Sequence, residues 1–210
     1  MANPTIDELQ NSDKYELIGK LSHPQIREFV MNQLTRNGRI VRIFMIYQVL
    51  MILTGIFFLS RSVVLAFYDN YLPLCYSVAA LFFCFSLLIV VHELLHGLAL
   101  KLTGARRVNF GGYLRKFIFY AEADRHVLNR KQFALVALTP LVLVKFICLA
   151  GIFVFFSQPD SLFFILIMST HSLFCAGDIG LLSVFYQNTK SEIFTFDVKE
   201  EKTSYFYRRI

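Results

Sequence analysis

Two histidines and a glutamate stand close together in the apolar segment Val91-His92-Glu93-Leu94-Leu95-His96-Gly97. On a helix, His92 and His96 are four residues apart, so both imidazoles project from one face and can reach one ion. Zinc accepts neutral imidazole nitrogen and lowers the pKa of a bound water towards neutrality. Glu93 can take the proton of that water and pass it to a leaving amine. The spacing predicts a catalytic zinc site, with His92 and His96 as metal ligands and Glu93 as the general acid/base.

A catalytic zinc site normally has a third protein ligand, and the sequence offers two groups of candidates. Three candidates follow the motif in a polar stretch: Glu122, Asp124 and His126. The other is Asp178, which lies between Gly177 and Gly180 in a later apolar run. Counting about 1.5 Å per residue along the helices puts Asp178 at the depth of His92 and His96, and the glycines would let another backbone approach. Depth favours Asp178, and the alternative is an acidic residue that only pairs helices.

Three more residues in the apolar runs bear on this site. His171 precedes Asp178 by two helical turns, so a buried histidine satisfied by a neighbouring helix is favoured over a ligand or a proton relay. Lys145 could pair with Asp178 or hold a substrate carbonyl, and extension towards the membrane surface or pairing with a group that the sequence does not identify is equally expected. Pro140 is expected to kink its helix, because its ring clashes with the preceding turn and it lacks an amide proton.

The composition is that of a membrane protein. Hydrophobic residues make up 56% of the 210 residues, charged residues only 17%, and the mean hydropathy is +0.53. The net charge of +6 does not indicate nucleic acid, because the basic residues flank apolar runs instead of forming one patch. About forty polar and mixed residues precede the first run, so we expect a retained anchor and no signal peptide. The four cysteines form no CxxC pair, and buried thiols that pack as small apolar side chains are favoured over disulfides or a thiolate metal site.

Four stretches are long enough to cross a bilayer as helices: Ile40 to Ser60, Leu72 to Leu100, Gln132 to Ser157, and Ser161 to Tyr186. Arg61, Asp69 and Asn70 are expected to separate the first from the second. The N-terminal segment carries six Lys and Arg residues, the middle connection eight and the C-terminal tail five, against Arg61 alone in the outer loops. This bias predicts that both termini and the middle loop face the cytoplasm. It also predicts a cytosolic segment 1–39, a membrane domain 40–186 and a cytosolic tail 187–210.

Two local patterns lie outside the spans. Ile26, Phe29, Val30 and Leu34 follow helical spacing, which indicates a short amphipathic helix. It could lie on the inner leaflet or pack against the protein's own cytosolic face. Alternation in the stretch from Phe117 to Asp124 indicates a strand, with a tight turn at Gly111-Gly112, so a small β-hairpin is expected in the middle loop. A surface loop is the alternative.

The motif around His92, together with Leu138-Thr139-Pro140 and Gly177-Asp178-Ile179, resembles the putative zincin peptidase family of small bacterial membrane proteins. The general plan is similar to that of the site-2 proteases, which cut substrates within or beside the membrane. The resemblance implies a bacterial multi-pass protein of the cell membrane with a three-helix zinc core, in which Asp178 is the later ligand and Glu93 the catalytic carboxylate. Site-2 proteases usually carry asparagine and proline ahead of that aspartate, whereas His171 and Cys175 stand there in this sequence.

The sequence therefore predicts an all-α integral membrane protein with about four transmembrane helices. Its predicted function is zinc-dependent hydrolysis of peptide bonds in membrane-associated protein or peptide substrates, at a site near the cytosol. The partners expected are that substrate and the lipid bilayer, without nucleic acid. The alternative is a non-catalytic membrane protein with a structural metal site or a partner-binding role. Glu93 argues against the alternative, because a structural site needs no carboxylate there.

Overall fold

The structure, a computed structural model, describes residues 3–36, 38–113, 118–187 and 191–210. Within these ranges the helices are α1 Ile6–Leu9, α2 Ile26–Thr35, α3 Arg39–Ala66, α4 Leu72–Cys84, α5 Leu87–Leu102, α6 Arg130–Val154, α7 Ser161–Phe174 and α8 Ala176–Gln187. The strands are β1 Tyr15–Ser22, β2 Asn109–Tyr113, β3 Ile118–Glu122, β4 Leu128–Asn129, β5 Ile193–Val198 and β6 Thr203–Arg209. The chain is mostly helical, as predicted, but the strands exceed the expected hairpin.

Two of the described helices, α3 and α6, are each long and apolar enough to cross a membrane alone. The second and fourth predicted spans are not continuous helices. Each is a broken pair: α4 and α5 meet at a bend of 47°, and the helix of the fourth span stops at Cys175 before α8 begins. Up to four spans result if each pair counts as one. Asp69 and Asn70 lie between the first and second predicted spans, as expected, whereas Arg61 does not break the chain there, since α3 continues to Ala66.

The described chain divides into two compact units. The first unit comprises residues 1–41, 93–139 and 177–210, and the second comprises 42–92 and 140–176. In the second unit the hydroxyl of Ser172 on α7 accepts a hydrogen bond from the amide of Gln48 on α3, at 3.1 Å. A polar pair of this kind in an apolar helix bundle fixes which faces of the two helices meet.

The first unit contains a four-stranded antiparallel sheet in the order β1-β6-β5-β4, which sequence analysis did not predict. Its apolar face packs on α8, where Phe185 contacts Phe206 and Ile193. The amphipathic helix α2 lies on the same cluster, with Phe29 against it and the side chain of Val30 over Gly180. Of the two alternatives for α2, the structure shows the one in which it packs on the protein itself.

The expected hairpin in the middle loop is present, since β2 and β3 pair antiparallel from Asn109 opposite Glu122 to Tyr113 opposite Ile118. The predicted turn at Gly111-Gly112 is wrong, because both glycines lie inside β2, and the connection at 114–117 is outside the described residues. Phe110 of β2 packs on α5 at Gly97, where an added Cβ would come within 2.6 Å of the ring. Glycine at 97 thus allows the hairpin to approach the motif helix.

The four cysteines are free thiols, as predicted. Cys84, Cys148 and Cys175 are buried and pack as small apolar side chains, whereas Cys75 on α4 is exposed. The expectation of buried thiols therefore fails at one of the four positions.

Candidate metal centre

Helix α5 carries the motif residues and has one buried face and one exposed face. His92 and His96 are 5% and 8% exposed, one turn apart, while Leu94 and Leu98 on the other face are both more than half exposed. Leucine favours the helix because it is not branched at Cβ, and the exposed leucine face suits a lipid environment. Glu93 is half-buried beside His92. The predicted helical placement of the two histidines and the glutamate is therefore present.

His96 is oriented by a backbone carbonyl of α6. Its Nδ1 lies 2.9 Å from the carbonyl oxygen of Val136. In a regular helix that oxygen would accept the amide proton of residue 140, four positions later, but Pro140 has none. The proline therefore leaves the Val136 carbonyl available to accept a proton from His96 Nδ1. His96 then presents its other nitrogen, Nε2, towards a ligand.

His96 Nε2 faces Asp178, the residue that depth counting had favoured. The distance from Nε2 to Asp178 Oδ1 is 3.2 Å. Asp178 lies in the first turn of α8, because the preceding helix stops at Cys175. The positive end of the helix dipole there favours a carboxylate within an otherwise apolar segment. At Gly180 on the same helix an added Cβ would come within 2.8 Å of the Val30 side chain of α2, whereas an added Cβ at Gly177 would meet nothing within 4 Å, so of the two glycines only Gly180 lies at a close contact.

His92 is held by a second histidine. Its Nδ1 lies 3.0 Å from Nε2 of His171 on α7, which is 1% exposed. The sulfur of Cys175 lies 3.8 Å from Nδ1 of the same His171. Sequence analysis favoured a buried His171 satisfied by a neighbouring helix, and the contact with α5 is of that kind.

Among the residues that the structure describes, two sets of side chains could hold a metal ion: His92, His96 and Asp178, and His92, His171 and Cys175. The first set contains two imidazole nitrogens and one carboxylate, which is the donor set of many catalytic zinc sites. Zinc fits it, because His96 has Nδ1 occupied by a carbonyl and Nε2 directed at a carboxylate oxygen. The second set is buried and thiol-containing, and it shares His92 with the first.

The three other candidate ligands are engaged elsewhere in the first unit. Glu122 is buried in β3, where desolvation and the negative charge of Asp197 raise its pKa. Asp124 accepts a hydrogen bond from the backbone N–H of Lys199 at 2.9 Å. His126 lies with Nε2 3.1 Å from the Thr103 hydroxyl, and burial lowers its pKa. None of the three belongs to a metal-binding group among the described residues.

Lys145 is partnered by groups that the sequence does not identify. Its ammonium lies 4.7 Å from the centre of the Tyr47 ring, 3.2 Å from the sulfur of Met51 and 3.3 Å from the carbonyl oxygen of Met168. A cation over an aromatic face inside an apolar bundle is stabilised by the ring quadrupole. Lys145 thus joins α3, α6 and α7 in the second unit.

Sequence analysis also missed the role of the Val136 carbonyl. The signal was present, because a proline inside a predicted helix always frees the carbonyl four residues before it. The sequence predicts a kink at Pro140, but it does not identify the donor that pairs with the carbonyl oxygen of Val136. A buried carbonyl of this kind needs a donor, and His96 supplies it.

Comparison with known proteins agrees with the motif. No curated protein and no solved structure matches the chain. Residues 85–193, more than half of the 210 residues, match the model of the family described as "Putative zincin peptidase". The matched range contains α5, α6, α7 and α8, and with them every residue of the candidate metal centre. The chain therefore belongs to the putative zincin peptidase family.

Proposed function

We propose that this protein is a membrane-embedded zinc-dependent peptidase. The observation that carries the proposal is the pairing of His96 Nε2 with Asp178 Oδ1 at 3.2 Å, beside a glutamate on the same helix. His92, His96 and Asp178 would hold the zinc ion, and Glu93 would be the catalytic base. Family membership supports the metallopeptidase class, and the apolar helices support a site within the membrane.

The metal ligands and Glu93 would have separate roles in hydrolysis. Zinc bound there would polarise a peptide carbonyl and make a water molecule more acidic. Glu93 would accept a proton from the attacking water and deliver it to the amine that leaves. His92 and His96 would each offer Nε2 to the zinc ion, because each has Nδ1 engaged by a neighbour that orients the ring. The exposed leucine face of α5 keeps the other side of the motif helix in an apolar environment.

We propose membrane-associated proteins or peptides as substrates, and an orientation with both termini and the hairpin in the cytoplasm. The basic residues concentrate in the N-terminal segment, the middle connection and the C-terminal tail, which agrees with the positive-inside rule. Hydrolysis needs an extended, unwound peptide bond. A site approached from the cytosolic side would admit the end of a substrate helix, where unwinding costs least.

The test is the substitution Glu93→Gln in the detergent-purified full-length chain, assayed for zinc content and for cleavage of a mixed-sequence, internally quenched peptide pool. We expect zinc content equal to that of the wild type and a loss of turnover of at least about 100-fold, the contribution typical of general acid/base catalysis. The matched control is Glu122→Gln, which alters a buried glutamate outside the metal centre. Cleavage by Glu93→Gln at the wild-type rate would refute the assignment, and zinc binding without cleavage in every variant would favour a structural metal site.

A further inference from the structure

The contact between His92 and His171 fixes which nitrogen of His92 can bind a metal. His92 Nδ1 is 3.0 Å from His171 Nε2, and the ring centroids are 5.1 Å apart. An imidazole that binds zinc is neutral and uses one nitrogen, while the other carries the proton. Because Nδ1 faces His171, the coordinating atom is Nε2. His96 uses the same nitrogen, since its Nδ1 faces the Val136 carbonyl.

The protonation of His171 follows from that of His92. If His92 Nδ1 carries a proton, it donates to His171 Nε2, which must then be an unprotonated acceptor. The proton of neutral His171 is therefore on Nδ1, 3.8 Å from the sulfur of Cys175. That sulfur is itself 3.5 Å from the backbone carbonyl oxygen of His171. The result is a chain of neutral groups from Cys175 through His171 to His92.

We propose that His171 is a positioning residue, which accepts the Nδ1–H of His92 and so fixes the ring and tautomer of a zinc ligand. The inference rests on the proposed zinc site. In many zinc proteins a carboxylate or carbonyl has this role. A neutral imidazole performs it without adding a second negative charge to an apolar segment, where a carboxylate would be costly. His171 is therefore part of the metal centre without being a ligand.

The same residues have one competing arrangement, in which His92, His171 and Cys175 bind the metal directly. The two arrangements differ at Cys175, because a thiolate ligand gives a Co(II)-substituted site an intense near-ultraviolet charge-transfer band. With His171 as a positioning residue, the Co(II) protein lacks that band. Cys175→Ala should then keep wild-type zinc affinity.

The experiment measures zinc affinity and the near-ultraviolet and visible spectrum of the Co(II) form in the purified full-length chain. His171→Leu should lower zinc affinity about 10- to 100-fold, the usual effect of removing such a partner, and should change the Co(II) spectrum. His171→Gln places an amide oxygen where Nε2 lies and should restore affinity to within a few-fold of the wild type. His171→Asn is equally polar but one methylene shorter, so it should not. Ser172→Ala, on the same helix, controls for general damage to α7.

The possible outcomes distinguish the positioning role of His171 from direct ligation and from failure of the proposed zinc site. Wild-type affinity and spectrum in His171→Leu or His171→Asn, with zinc lost in His92→Ala, would overturn the positioning role alone. A thiolate band in the wild type, or zinc loss in Cys175→Ala, would overturn it in favour of direct ligation. Zinc retained in His92→Ala would overturn the proposed zinc site, and this inference with it. If His171→Leu does not fold, the comparison of Gln with Asn at this position decides.

Discussion

Pro140 offers a test in which protein stability and metal affinity should change in opposite directions. Substitution by alanine restores an amide proton at position 140, and the carbonyl of Val136 becomes its regular helical acceptor. Repairing the helix draws that oxygen towards the helix axis and away from His96 Nδ1, which it contacts at 2.9 Å. The helix gains a hydrogen bond, and the metal ligand loses the group that orients it.

The changes in the free energy of unfolding and in zinc affinity can both be estimated from the contact between His96 Nδ1 and the Val136 carbonyl. Proline in a helix interior costs about 3 kcal/mol relative to alanine, so the free energy of unfolding of metal-free Pro140→Ala should rise by up to about that amount. His96, which is 8% exposed, would keep a buried donor without its carbonyl partner, at a cost of roughly 1–3 kcal/mol. Since each 1.4 kcal/mol is a factor of ten, zinc affinity should fall roughly 5- to 150-fold.

The assay is thermal unfolding of the metal-free protein together with competitive zinc titration against a chelating dye. Val136→Ala is the matched control, because it removes the buried side chain but keeps the carbonyl that His96 contacts. It should be less stable than the wild type and bind zinc equally well. If Pro140→Ala gained stability and kept wild-type zinc affinity, the argument that proline supplies the acceptor for His96 would be refuted.

Three further predictions concern the third ligand, the topology and the sheet. Asp178→Ala should lose most bound zinc in metal analysis of the purified protein, whereas Glu122→Ala should retain it; the reverse would move the third ligand to the hairpin. In a background without native cysteines, Cys at exposed Asp69 should react with an impermeant thiol reagent in intact cells and Cys at exposed Arg107 should not; labelling at 107 would contradict the orientation. Burial raises the pKa of Asp197 from 3.8 to about 6, so the folded state keeps a proton that the unfolded state loses, and wild-type stability falls as pH rises through this window. Asp197→Asn should therefore gain roughly 1–3 kcal/mol over the wild type above pH 6 and nothing below pH 3.8, as measured by chemical unfolding; a gain independent of pH would contradict the shift.

The motif helix could be predicted because its information is local. A spacing of four residues places His92 and His96 on one face wherever the helix lies, and counting residues from the helix ends brings Asp178 to the same depth. The contact of His92 with His171 could not be derived this way. The two residues are separated by 79 positions, and the rotation of α7 about its axis decides whether His171 faces α5.

The sheet escaped prediction for a similar reason. The segment from Ile193 to Val198 alternates aromatic and β-branched residues with polar ones, which is a strand signal. Its neighbours in the sheet cannot be read from that signal, because Tyr15 of β1 pairs with Arg209 of β6, at the far end of the chain. The breaks at 85–86 and at Cys175 carry neither proline nor glycine, so ordinary breaker rules give no warning of them.

The order of strands in the sheet has a consequence for how the protein is made. β1 precedes every apolar helix from α3 onwards, and its partner β6 follows all of them. In the orientation proposed above, β1 would remain unpaired on the cytosolic side while those helices enter the membrane, since no other strand in the described chain pairs with it. The sheet closes only when β6 has been synthesised, after His92, His96 and Asp178. Assembly of the first unit would then follow insertion, and a nascent chain arrested before β6 would carry an unpaired β1 edge open to association with other chains.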